Sequence, residues 1–162
     1  MALLGAPMLS LAQETYFAAL DAINEVPTCF SGGEGTFMAT INEGDTAIDY
    51  QLSYDSLIGT VTQAHIHFGK PFEQGGIMVF LCSNIDPPPA DLPPGTPACL
   101  VPSGTVTGTL TASSVIGRAS GQGINTGDFA KLLVAIRFGD GFTYANGHTT
   151  VCPMGEIRGQ IH

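Results

Sequence analysis

The chain has 162 residues, 44% of them apolar and only 12% charged, with 21 Gly and 11 Pro. This length suits one domain able to bury its own core, and a Gly/Pro-rich, charge-poor mixture favours short strands joined by tight turns. Five Lys/Arg against fourteen Asp/Glu give a net charge of -9, which repels phosphate backbones and, with no basic stripe, excludes nucleic acid as a partner; no apolar run is long enough to span a bilayer.

The chain opens with "MALLGAPMLSLAQ", apolar and uncharged, in which "SLA" ending at Ala12 fits a small-x-small cleavage site. A basic n-region is missing, so residues 1–12 read as the rear of a signal peptide that starts upstream. Cleavage leaves a single domain at 13–162 and an exported protein, extracellular or periplasmic. The alternative is an N-terminal strand. Gly5 and Pro7 weaken any helix there and suit a strand donated to a neighbour's open sheet edge, which would build a filament.

Strands are expected over 15–23, 35–42, 46–54, 59–68, 76–82, 104–111, 142–150 and 155–162. Alternation is clearest in "DTAIDYQLSYD", where Ile48, Tyr50, Leu52 and Tyr54 share one face, and "NEGD" (42–45) before it reads as a hairpin turn. One segment departs from this period. Phe129, Leu132, Leu133 and Ile136 follow helical spacing, with Thr126 or Asp128 as N-cap and Gly139 as a stop, so a helix is expected near 127–138. The fold class is therefore all-β: an antiparallel, Greek-key-like β-sandwich with one short helix.

Four cysteines, Cys29, Cys82, Cys99 and Cys152, show no CxxC spacing, which favours disulfides and an oxidising compartment. Three pairings are possible. Cys82 and Cys99 flank "SNIDPPPADLPPGTPA", a Pro-rich surface excursion whose closure would add about 3 kcal/mol by the chain-entropy model. That pairing leaves Cys29 with Cys152.

Two of the four histidines lie one residue apart in "TVTQAHIHFGK". On a strand, Ala64, Ile66 and Phe68 form an apolar face, while Gln63, His65 and His67 point the other way. Tyr144, Asn146 and His148 share a face further on, which makes His148 a candidate third imidazole. The last strand turns Ile157 and Ile161 inward and Glu156, Arg158, Gln160 and His162 outward, so His162 is a weaker fourth. Two readings stand open: a copper or zinc site on His65, His67 and His148, or a polar cluster hydrogen-bonded to Asn146, Thr149 or backbone carbonyls. Glu25, Glu156 and Arg158 read as a structural carboxylate–guanidinium pairing. Glu43, Asp45 and Asp49 match no calcium loop and read as a solvated turn. No serine sits in G-x-S-x-G, and "GQGINTG" follows no βαβ unit, so neither nucleophilic catalysis nor a phosphate loop is expected.

"FAALDAINEVP" (17–27), "IDYQLSYDSLIGTVTQAHIHFG" (48–69), "GGIMVFLC" (75–82), "GTVTGTLT" (104–111) and "YANGHTTVCPMGEIRGQI" (144–161) together resemble the CHRD domain, a family named for repeats in chordin. The resemblance runs in order from Phe17 onward and implies an extracellular all-β domain. In chordin the repeats belong to an antagonist that binds growth factors, so a protein or matrix partner is the implied kind. Cys29 and Cys152 depart from the family pattern and account for each other as one added disulfide. The H-x-H strand is also, more weakly, similar to the copper strand of Cu/Zn superoxide dismutases. Those enzymes need imidazoles for two metals, and this chain has four histidines and an acidic surface, so dismutase activity is not expected. The expected function is a non-catalytic binding or adhesion module. A structural subunit that polymerises with itself comes next, and a copper-dependent redox enzyme last.

Overall fold

The computed structural model describes residues 13–139 and 141–162; the expectations for residues 1–12, signal remnant or donated strand, lie outside the described residues. Eight strands run β1 (Glu14–Asp21), β2 (Glu34–Ile41), β3 (Ile48–Asp55), β4 (Val61–Phe68), β5 (Gly76–Ser83), β6 (Gly104–Leu110), β7 (Thr143–Thr149) and β8 (Ile157–Gln160), with one helix, α1 (Phe129–Arg137), between β6 and β7. Each strand matches its expectation to within two residues at either end. All ladders are antiparallel, in the order β5-β4-β7-β8-β1-β2-β3-β6.

The antiparallel all-β fold with one helix is the expected one, but its strands form a single sheet that curls nearly closed in place of two separate layers. The chain end makes it continuous. β8 pairs with β1 at Asp21 and Arg158, and Phe17 and His162 exchange both backbone hydrogen bonds, 2.9 and 3.0 Å. Where β5 and β6 would close the barrel, side chains tie the seam: Tyr50 donates to the Leu81 carbonyl at 2.5 Å and Tyr54 to that of Leu100 at 2.8 Å. Cys82–Cys99 spans the base of the Pro-rich loop at the same place, and Cys29–Cys152 joins the segments after β1 and β7, so both pairings hold.

Burial divides the sheet in two. β1, β2, β3 and β6 mostly alternate buried and exposed residues, with one face on the core and the other in solvent. β7 is buried at all seven positions, and β4 from Ala64 to His67. Both faces of that half are covered. The inner face carries the apolar core, in which Phe37, Leu52, Ile66 and Leu81 meet Phe129, Leu132, Leu133 and Ile136 of α1, the stripe set by helical spacing. Gly139, at φ +56°, ends the helix as expected. Arg137 in its last turn donates to Glu14 and Asp45, fixing α1 to the start of β1 and the 42–45 turn.

A Cys82→Ala/Cys99→Ala variant is expected to fold but to lose about 3 kcal/mol, lowering Tm by roughly 6–12 °C in calorimetry. An unchanged Tm would mean that the tyrosine hydroxyls alone close the seam.

Candidate metal centre

The covered outer face of β4 and β7 holds the histidines. The β4–β5 ladder shifts register between Ala64 and His65 and again between Ile66 and His67. Such bulges twist a strand and re-aim its side chains. Across the β4–β7 ladder, Gln63 faces His148, His65 faces Asn146 and His67 faces Tyr144, so His148 lies diagonal to His65. All three imidazoles are buried, at 0, 6 and 8% exposure for His65, His67 and His148. They lie outside the apolar core, beneath a second cover that one-sided alternation does not anticipate. Phe80 meets the His65 ring edge-on at 4.7 Å, and Tyr144 stacks on His67 at 4.6 Å and 6°. Residues 69–75, the 3-10 turn Gly117–Gln122 and the turn after β7 complete the cover.

One ligand nitrogen from each histidine lies within 4.8 Å of the others, the only such three-residue group among the described residues. His65 Nδ1 and His148 Nε2 are 3.1 Å apart. Each ring's second nitrogen has its own oxygen: His67 Nδ1 donates to the Gly75 carbonyl at 2.9 Å and His148 Nδ1 to that of Pro153 at 3.0 Å. His65 Nε2 lies 3.1 Å from Gln63 Oε1. In neutral imidazole a donating Nδ1 leaves Nε2 with a lone pair, so His67 and His148 both present bare Nε2 atoms. His65 has two arrangements. A proton on Nδ1 bridges to His148; a proton on Nε2 goes to Gln63 and turns a third lone pair toward the other two. Buried His67 Nε2 has no hydrogen-bond partner among the described residues.

Burial sets the charge state. It lowers the pKa of His65 well below the ordinary value, with His148 and His67 adding repulsion, and lowers that of His148. For His67 burial brings it to about 4, partly opposed by the Gly75 hydrogen bond. All three are neutral at pH 7 and keep their lone pairs.

Other candidates fall elsewhere. His162 is exposed and outside the group, held through its backbone to Phe17. Arg158 and the two carboxylates do not form the expected pair. Glu156 accepts from Ile58 N and Thr149 Oγ1, and Glu25 from Val26 N and Asn146 Nδ2. Arg158 instead donates to the carbonyls of Glu73 and Lys70, each at 2.8 Å, and to Gln160, with its guanidinium carbon 3.5 Å over the Tyr144 ring. Carbonyls on the cover out-compete carboxylates because those are already satisfied. Asp45 binds Arg137 and Asp49 accepts from Thr109, and the metal-holding group found among the described residues does not include the acidic turn. The residues that sequence reasoning missed are the backstops, Gly75 and Pro153, which act through main-chain oxygens and leave no side-chain signal.

A curled antiparallel sheet with a buried three-histidine cluster at the junction of β4 and β7 thus carries the two stretches "AHIHFG" and "YANGHTTVCPMGEIRGQI". The family model of the CHRD domain matches residues 16–161, nearly the whole chain, and the chain belongs to that family. No curated protein and no solved structure matches it. No helix among the described residues is long and apolar enough to cross a membrane.

Acid is expected to destabilise the metal-free domain. Folded His67 titrates at about 4 against an ordinary 6.5, so between these values the unfolded chain binds more protons and stability falls as pH drops. His65 and His148 shift the same way; Glu25, raised by burial, opposes them as one carboxyl against three imidazoles. The urea midpoint of chelator-treated protein should be lower at pH 5 than at pH 7, with His67→Leu narrowing the gap. Equal midpoints would contradict neutral burial.

Proposed function

We propose that this CHRD domain is an exported, non-catalytic binding module that carries one transition-metal ion, copper or zinc, on His65 Nδ1, His67 Nε2 and His148 Nε2. The observation behind this reading is the convergence of the three nitrogens, each opposed by a fixed oxygen on the far side of its ring. Metal-bound histidines have that second layer, because the rear hydrogen bond fixes the tautomer and the ring. The 3.1 Å between His65 Nδ1 and His148 Nε2 is near the roughly 3.3 Å of two nitrogens on a tetrahedral ion with bonds of about 2.0–2.1 Å. Two formed disulfides support an oxidising destination.

The open outer face of β1, β2, β3 and β6 is the surface for a protein or matrix partner: Phe17 and Met38, opposite each other across strands, are exposed among Thr36, Thr105 and Thr107. A second reading, self-association by strand addition, is favoured by β6, which ends the sheet order and leaves an edge that residues 1–12 of a neighbour would fill. Deep burial of all three ligands supports a structural ion over copper redox turnover, which requires access for a substrate.

Chelator-treated protein reconstituted with Cu(II) or Zn(II) should hold one ion per chain by elemental analysis. At free ion a hundredfold above Kd, stability should rise by about 2.7 kcal/mol. A His65→Ala/His67→Ala variant should lose both effects. Folded wild-type protein that takes up no ion would return the cluster to a hydrogen-bonding role.

A further inference from the structure

Two buried atoms at the centre have no hydrogen-bond partner among the described residues: His67 Nε2 and Asn146 Oδ1. Both are acceptors, and a buried acceptor left unpaired is destabilising. Asn146 is 2% exposed, lies directly across the ladder from His65, and shares its strand face with His148 two residues on. Its amide is close enough to His67 to favour a proton on that ring, yet no hydrogen bond joins the two. Two unpaired acceptors on neighbouring side chains would both be satisfied by one shared electrophile.

We propose, resting on the metal reading above, that Asn146 Oδ1 is the fourth ligand and that Glu25 is the positioning residue that aims it, so that the centre is a closed structural site with no position for a substrate. Glu25 does this from behind. Its Oε2 accepts from Asn146 Nδ2 at 3.3 Å, which assigns the nitrogen end of the amide outward and the oxygen end toward the imidazoles. Its Oε1 is held by the Val26 amide at 2.9 Å. Gly155, at φ +130°, gives the carboxylate its room, since a Cβ there would collide with it. Three imidazoles and an amide oxygen are four neutral donors, and the Glu25 carboxylate one hydrogen bond back supplies compensating negative charge. Without a thiolate or thioether, the set suits Cu(II) or Zn(II) better than Cu(I). A zinc site with four protein ligands is structural, whereas catalytic ones keep a position open.

Azide, a small anion that enters vacant copper positions, separates the possibilities. Full-length wild type, Asn146→Asp and Asn146→Ala are loaded with Cu(II), and azide is titrated while visible absorption and EPR are recorded. Wild type and Asn146→Asp should each hold one ion and bind azide at least about tenfold more weakly than Asn146→Ala. Asn146→Ala should hold its ion at least about tenfold more weakly and change spectrum on azide addition. Glu25→Gln, which can donate to Asn146 Oδ1 and let the amide turn over, should also open the centre to azide. Its indifference would overturn the positioning role of Glu25. Azide binding to wild-type copper as tight as to Asn146→Ala would overturn the fourth ligand while leaving the three-histidine site intact. Absence of any ion in wild type would overturn the metal reading itself. If Asn146→Ala does not fold, the wild-type and Glu25→Gln titrations decide the matter.

Discussion

Arg158 is 1% exposed, and among the described residues no carboxylate shares its burial through an ion pair. A guanidinium taken from water is tolerable only if its donors are satisfied, and here the acceptors are the Lys70 and Glu73 carbonyls, Gln160 and the face of Tyr144. Residues 69–75 are thereby held against the sheet. Gln160 adds a bond to the Gly69 carbonyl, and the Tyr144 hydroxyl accepts from Gly75 N. Gly75 lies so near the turn out of β4 that a Cβ would collide with the Phe68 carbonyl. Fixing that backbone fixes the oxygen that takes the His67 proton, and hence which nitrogen faces the other two rings. One buried cation on β8 thus orients a ligand on β4.

The division of the sheet follows from the same cover. Strands β1, β2, β3 and β6 need only one apolar face, and their alternation supplies it. β4 and β7 have two covered faces, one apolar and one built of rings, amides and hydroxyls. Buried polar groups of this kind are costly when half satisfied, so each must be matched. Thr149 and Glu156 match each other at 2.6 Å, and Glu156 reaches on to Ile58 N. Among the described residues, what is left over, Thr143 Oγ1 apart, belongs to His67 and Asn146, so the unmet polar demand lies at the covered cluster and not on the open grooves of the bare face.

The strands, the helix, Cys82–Cys99 and the His65/His67 pair were legible because each is written in a local period or a short spacing, whereas Cys29–Cys152 followed only as the remaining pairing, across 123 residues. Ile48, Tyr50, Leu52 and Tyr54 repeat every second residue, and Phe129, Leu132, Leu133 and Ile136 repeat as a helix does. Alternation reports polarity and not exposure, so Gln63, His65 and His67 read as a polar face without revealing that it is roofed. A hint existed in "TYANGHT", which has no charged residue at any of its seven positions, as a strand covered on both faces would. The single curled sheet depends on the pairing of Phe17 with His162, a contact between chain ends that no periodicity encodes. The carbonyls that hold Arg158 leave no mark in a sequence, whereas the side chains of Glu25 and Glu156 do.

The Pro-rich segment after β5 is fastened at its root. Ser83 N donates to the Pro97 carbonyl, Asn84 and Cys99 exchange hydrogen bonds at 2.9 and 3.0 Å, and the disulfide locks the same two chain segments. Beyond that root, the ion pair joining the segment to the rest of the molecule is Asp91 with Arg118, both well exposed and worth little. Lengthening a closed loop is inexpensive, about 0.6 kcal/mol per doubling. The segment therefore works as a socket with an interchangeable insert. Between residues 86 and 90, ahead of the Pro93–Thr96 stretch that lies beside Tyr50 and Phe80, a change of length should leave the barrel and its histidines as they are.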